Sequence, residues 1–275
     1  MSKLYTVKPG KDHQAIFSPG EDDCRWLGLE YLQLAAGSSW SAELKDREAA
    51  IVILSGSCSV SVEAKESRSW EGIGGRPDVF GGPGAAVYVP RASRATVTAG
   101  TAVEAAVAVA PCQADLPPAL IAPADVKVLS SGAAGWRRDV RLYIPPGSGV
   151  SSRLIVGETL NPQGNWSGIP PHKHDEVSST ENLLEEFYLF KTKPASGFGV
   201  QLMYREGDKG EAVVVGNNDV AFFSGGYHPT VAAPGVTLSY TWALSGESKD
   251  YNLSIDSRFG WVPSAEMVLK EMKRS

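Results

Sequence analysis

The sequence predicts an all-β protein built as two antiparallel β-barrel halves, with a short helix at its C-terminal end. Three observations carry this reading. Apolar, β-branched runs of four to eight residues recur along the chain. The 29 glycines and 18 prolines fall between those runs, where the chain must turn. The order of runs and turns in the first half is repeated, loosely, in the second, across a stiff connector containing Pro111, Pro117, Pro118 and Pro123.

Taken in order, residues 49–63 mix β-branched side chains and end in the alternation Ser57-Cys58-Ser59-Val60-Ser61-Val62. That is the period of a strand with one buried face. Residues 85–90 form an apolar strand that stops at Pro90, and 94–97 resume it. In the second half, 140–144, 152–156, 187–190, 199–204, 211–215, 220–223 and 236–243 read the same way. The turn and apolar strand of residues 82–90 have a counterpart at 216–224. From Ser264, after Pro263, the tail reads as a helix whose late Lys and Arg suit its dipole. These runs assign 1–115 to a first barrel, 116–262 to a second and 263–275 to the terminal helix.

Composition narrows the function. Lys plus Arg is 26 against 31 Asp plus Glu, a net charge of −5 with no basic cluster, so no nucleic-acid partner is expected. No uncharged apolar run approaches the roughly 20 residues of a membrane span. The opening Met1-Ser2-Lys3-Leu4-Tyr5 has no apolar signal core. Cys24, Cys58 and Cys112 are odd in number and lack CxxC spacing, which suits reduced thiols. A cytoplasmic protein is expected.

The chemistry concentrates in the second half. Of four histidines, His13 stands alone, and His172-Lys173-His174 places two imidazoles on one face of a strand. Glu185-Glu186-Phe187-Tyr188 opens a strand eleven residues beyond His174, and Gly225-Gly226-Tyr227-His228-Pro229 brings a third imidazole at a turn. Three neutral imidazoles and one carboxylate suit a borderline divalent ion with positions left open. Adjacent Glu185 and Glu186 cannot both face inward on one strand.

Pro170-Pro171-His172-Lys173-His174, a Glu on an aromatic strand and Gly-Tyr-His-Pro resemble the two metal motifs of the cupin superfamily. The usual first motif has its Glu about four residues after HxH, whereas here residues 175–184 intervene. Ser224 stands where the second motif has Pro, and its Asn after the His is missing. More narrowly, the sequence resembles the 5-deoxy-glucuronate isomerase family. That likeness rests on Gly164-Asn165-Trp166-Ser167, Leu184-Glu185-Glu186-Phe187-Tyr188, Gly197-Phe198-Gly199 and the long run from Gly225 to Gly235. Gly74-Gly75-Arg76-Pro77-Asp78-Val79-Phe80 and Tyr88-Val89-Pro90 extend it into the first half, so it covers approximately 25–262.

The resemblance implies a bicupin of two jelly-roll halves, the first without metal ligands, and one divalent ion per chain. Zinc is expected, with Mn or Fe as alternatives, on His172, His174, Glu186 and His228. Matching Glu-Phe-Tyr-Leu-Phe to the family's strand favours Glu186 over Glu185 as the ligand. The implied reaction is an aldose–ketose isomerisation of 5-deoxy-D-glucuronate through an enediolate, in myo-inositol catabolism. Glu185, Tyr188 and a metal-bound hydroxide are the candidate bases. Arg153, Gln201, Tyr204, Arg205 and Tyr227 are candidates for the substrate carboxylate, and Arg76 reads as a loop-fixing residue. A small sugar acid and a second copy of the chain are the expected partners. The rivals are an iron-dependent bicupin dioxygenase, which uses the same ligands, and a sugar-binding bicupin without catalysis.

Overall fold

Period-2 alternation on the two central strands sorts their side chains between a barrel interior and a core shared by both halves. In the computed structural model, which describes residues 3–21 and 23–272, Leu184–Lys193 turns Leu184, Tyr188 and Phe190 into the second barrel. The same strand turns Phe187 and Leu189 outward to the shared core. Arg47–Glu63 does likewise: Ala49, Ile51 and Ile53 fill the first barrel, while Ala50, Val52 and Leu54 face the shared core. Fully burying a side chain such as Phe187, Phe222 or Leu29 stabilises by about 1.5–3 kcal/mol, so this face-to-face layer ties the halves into one body.

The first barrel's main sheet runs Ala119–Ile121, Ala86–Val89, Arg47–Glu63, Val103–Pro111, Gly28–Leu34, His13–Phe17. The second runs Lys3–Thr6, Asp219–Phe223, Leu184–Lys193, Thr237–Gly246, Ile155–Asn161, Arg138–Ile144, Lys127–Ser131. Every pairing is antiparallel. A second, smaller sheet, Trp166–Ser167, Thr230–Ala232, Phe198–Met203 and Glu211–Gly216, closes the second half.

Two short strands pair across the division of the chain at residues 115 and 116. Lys3–Thr6 pairs with Asp219–Phe223 in the second barrel, and Ala119–Ile121 pairs with Ala86–Val89 in the first. Each half thus lends a short strand to the other, covering an edge that would otherwise present unpaired backbone groups. The chain's order hides this, since each lent strand is only a few residues long.

Register shows how closely the halves correspond. Glu186 lies opposite Phe223 and Leu244, and Ala49 lies opposite Val89 and Val109. Ile155 pairs with Leu244 as Gly28 pairs with Val109. Glu186 and Ala49 therefore hold the same place in the two barrels, and Glu185 corresponds to Glu48. These two glutamates form reciprocal clamps. Glu48 accepts the backbone N–H groups of Ser152, Arg153 and Leu154 at 2.8, 2.7 and 3.0 Å, with the Tyr88 hydroxyl at 2.8 Å. Glu185 accepts those of Arg25, Trp26 and Leu27 at 2.6, 2.8 and 2.9 Å. Between the barrels, buried Glu158 also takes Arg76 and Arg141, which fixes the Arg76 loop to the second half.

The C-terminal helix is Val262–Met272, with Pro263 in its first turn, where a missing N–H costs nothing. Residues 273–275 of the expected helix lie outside the described residues. Glu266 accepts from the Gly132 backbone at 3.0 Å and anchors the helix to the second barrel. All three cysteines are buried. Among the described residues no helix is long and apolar enough to cross a membrane.

Candidate metal centre

His172 ends up on the short strand His172–Lys173, His174 just beyond it, Glu186 on the inward face of the central strand, and His228 after the Gly225-Gly226 turn. His174, Glu186 and His228 are buried, with ligand atoms all within 4.8 Å of one another. Glu186 Oε2 is 3.0 Å from His174 Nε2 and 3.1 Å from His228 Nε2. The His172 ring stands beside this triple, its centroid 5.3 Å from that of His228 and 6.5 Å from that of His174.

The far side of each ring decides what the near side offers. Nδ1 of His172, His174 and His228 faces the carbonyl oxygen of Pro170, Leu184 and Gly226 at 3.1, 2.7 and 2.8 Å. A carbonyl only accepts, so each Nδ1 carries the proton, and in the neutral ring Nε2 presents a lone pair. With both rings neutral, the lone pairs of His174 and His228 would point at a carboxylate oxygen, so either a proton or a metal ion must lie between them. Two ligand atoms each about 2.1 Å from one ion are about 3.4 Å apart at tetrahedral angles and about 3.0 Å apart at the right angles of octahedral coordination. The observed 3.0 and 3.1 Å lie near the second, and backbone carbonyls orienting imidazoles through Nδ1 are the usual support of a metal site. The residues fit a divalent ion.

Charge in the cluster agrees. Burial alone would raise the Glu186 carboxyl, but His174 and His228 outweigh it and hold it at about 2, so it is an anion. Burial, helped by neighbouring His228, pushes His172 down to about 3, leaving a neutral lone-pair donor. At His174 burial opposes the proton while Glu186 favours it more strongly, so the direction is upward: a proton there does the job a metal would do.

One carboxylate braces the two motifs against each other. Asp175 Oδ1 holds the Lys173 ammonium at 2.8 Å, and Oδ2 accepts the Gly226 N–H at 2.8 Å. Lys173 points away from the cluster and is also held by Glu181 at 3.0 Å. Gly225 has φ +155°, and a Cβ there would lie 2.7 Å from Asp175 Oδ2, so only glycine lets the turn approach.

A cavity of about 90 Å³ opens beside the cluster. Glu186, His172, Tyr188, Tyr240, Tyr251 and Arg138 line it. Tyr188 lies on the Glu186 face of its strand, its ring 6.0 Å from His228 and 4.3 Å from Tyr240. Burial, then the Glu186 charge, raises its phenol well above 10, so it is neutral. Trp242 donates to Thr159 at 3.0 Å and lies over Gly157, where a Cβ would stand 2.2 Å from the indole.

Other expected site residues lie elsewhere. Glu185 faces the shared core, where burial raises its pKa against three amide hydrogen bonds, and its oxygens are taken. The same alternation that turns Glu186 inward turns Glu185 out, so it is not a base for this cavity. Arg153 donates to the Gly246 carbonyl. Gln201 donates to the carbonyls of His228 and Pro229 at 2.8 and 3.0 Å, fixing the His228 turn from behind. Tyr204 stacks on Tyr227 at 5.0 Å and donates to Asp256 at 2.7 Å. Arg205 is exposed. Tyr204 borders an outer groove with Trp136, Trp166 and Trp261, apolar and without any of the four candidate ligands. Sequence reasoning missed Arg138, Tyr240 and Tyr251. For Arg138 the signal was the alternation Arg138, Val140, Leu142, which shares one strand face.

A sequence profile of the KduI/IolB family matches residues 5–262. The chain belongs to that family. A Geobacillus kaustophilus (strain HTA426) protein named 5-deoxy-glucuronate isomerase is 37% identical over 281 aligned positions, covering 100% of both chains. The protein of that name from Bacillus subtilis (strain 168) is 32% identical, over 87% of this chain and 89% of its own. An IolB-like protein of Salmonella typhimurium LT2, solved as a crystal structure, superposes with TM-score 0.89 at 31% identity, covering 94% of this chain and 98% of that one. Oxalate decarboxylase of Lactobacillus farciminis shares the fold, with TM-score 0.68 at 10% identity over 99% and 94% of the two chains. These matches bear out the all-β bicupin expected from the sequence.

Proposed function

We propose that this KduI/IolB family member is a metal-dependent isomerase converting 5-deoxy-D-glucuronate to 5-dehydro-2-deoxy-D-gluconate. The observation that carries the reading is the convergence of His174 Nε2 and His228 Nε2 on Glu186 inside the second barrel. The names of the relatives give the substrate, and they lend nothing to an oxygenase or a binding-only protein. His172, His174, Glu186 and His228 would hold one divalent ion, zinc first, with Mn or Fe as alternatives. Bound there, the ion supplies Lewis acidity toward the substrate's aldehyde and adjacent hydroxyl.

The reaction moves one proton from C2 to C1 and another from the C2 oxygen to the C1 oxygen, through an enediolate. Tyr188 is neutral at pH 7 and keeps a proton to lend to one oxygen as the other releases its own. Tyr240, hydrogen-bonded to Ser167 at 2.5 Å, packs against Tyr188 and fixes its ring.

Turnover of the deoxy-uronate in D2O tests this. One deuterium should enter at the new carbinol carbon, and chelation should stop the reaction until metal is returned. Tyr188→Phe should lower kcat by about 10²-fold with metal content unchanged. Metal-replete protein that leaves the deoxy-uronate untouched contradicts the proposal.

A further inference from the structure

The cavity contains a cation that the reaction centre does not use. Arg138 opens the strand Arg138–Ile144 and lines the cavity together with His172, Glu186 and the phenols of Tyr188, Tyr240 and Tyr251. Its neighbours are already neutralised: Arg137 takes Asp139 at 3.3 Å, and Arg141 takes Glu158. Arg138 has no carboxylate within 4.0 Å among the described residues. Its Nη1 donates to the carbonyl oxygens of Ile169 and Trp136 at 3.1 and 3.3 Å. Those two bonds set the guanidinium plane.

A sugar acid has two ends with different needs. The aldehyde and its neighbouring hydroxyl are neutral and belong at the cluster. The carboxylate at the other end loses several kcal/mol on leaving water unless a cation receives it. Arg153, Gln201, Tyr204 and Tyr227 are engaged away from the cavity, as described above. We infer that Arg138 recognises the substrate's carboxylate and so selects acids whose charge lies remote from the reacting carbons. This rests on the isomerase reading for the identity of the acid.

The experiment separates the two claims by measuring binding as well as turnover. The probes are the deoxy-uronate with its aldehyde reduced to the alcohol, and the primary amide of that compound. Calorimetry on metal-loaded wild-type protein should show the acid binding roughly 10- to 100-fold tighter than the amide. Arg138→Met should bind both equally and weakly, and Arg138→Lys should recover part of the preference. Metal content measured on each variant reports an intact site. With the deoxy-uronate itself, Arg138→Met should raise KM by more than it lowers kcat. A wild-type preference that survives in Arg138→Met, or wild-type protein that binds acid and amide alike, overturns the inference even if isomerisation is observed. A preference abolished by Arg138→Met, in a protein that does not isomerise the deoxy-uronate, upholds carboxylate recognition and removes the isomerase reading.

Discussion

The two barrels share a strand order, exchange their edge strands and clamp each other through equivalent glutamates, yet their interiors are opposites. Where the second barrel has Glu186, Tyr188, Thr159, Tyr240 and Trp242, the first has Ala49, Ile51, Leu32, Ala105 and Val107, by the register of the paired strands. The first interior is filled by aliphatic side chains and small residues. The second keeps an apolar floor that includes Ile155, Leu184, Phe190, Phe223 and Leu244 and adds hydroxyls, an indole and one carboxylate at the five positions compared. The outer faces of both barrels are conserved between the halves in role, since both build the shared core. The fold thus separates its tasks by face: the outward side chains hold the molecule together, and only one of the two interiors is given to chemistry.

The comparison breaks most sharply at Glu186. Glu186→Ala gives the second barrel the residue the first has. It should abolish metal retention and lower turnover at least about 10³-fold, some 4 kcal/mol of transition-state stabilisation, while the fold persists. Metal content, kcat/KM and thermal unfolding check this together. The reverse change, Ala49→Glu, places a carboxylate in the aliphatic barrel with no histidine to receive it. It should bind no metal and cost about 3 kcal/mol in denaturant unfolding. An ion appearing there would show that the fold alone makes the site. The smallest effect lies in the clamps. Glu48→Gln and Glu185→Gln should each destabilise by about 1–3 kcal/mol, since each weakens bonds to three buried N–H groups. Neither should change turnover per folded molecule by more than about 2-fold. Lost turnover at unchanged stability in Glu185→Gln would restore Glu185 as a base.

Fold class and the grouping of His174, Glu186 and His228 were legible in the sequence because both depend on local pattern. Alternation marks strands, and HxH, the aromatic glutamate strand and Gly-Tyr-His-Pro each carry their geometry in a few adjacent residues. Alternation also showed that Glu185 and Glu186 part company, but not that Glu185 meets the backbone of Arg25, Trp26 and Leu27, about 160 residues away. The strand exchange was hidden for the same reason: Lys3–Thr6 and Ala119–Ile121 find partners only once both barrels are assembled. Arg138 lies 34 positions before His172, and its approach to the cluster is set by the sheet between them. Arg153, Tyr204 and Tyr227 carry suitable groups, but carbonyls, a carboxylate and each other take those groups up.

Anomalous diffraction at the metal edge, from crystals of the purified protein, tests the central claim most directly. One peak per chain is expected, about 2.1 Å from Nε2 of His174 and His228 and from Oε2 of Glu186, with none in the first barrel beside Ala49. An empty cluster in crystals of protein that isomerises the deoxy-uronate at full rate would contradict it.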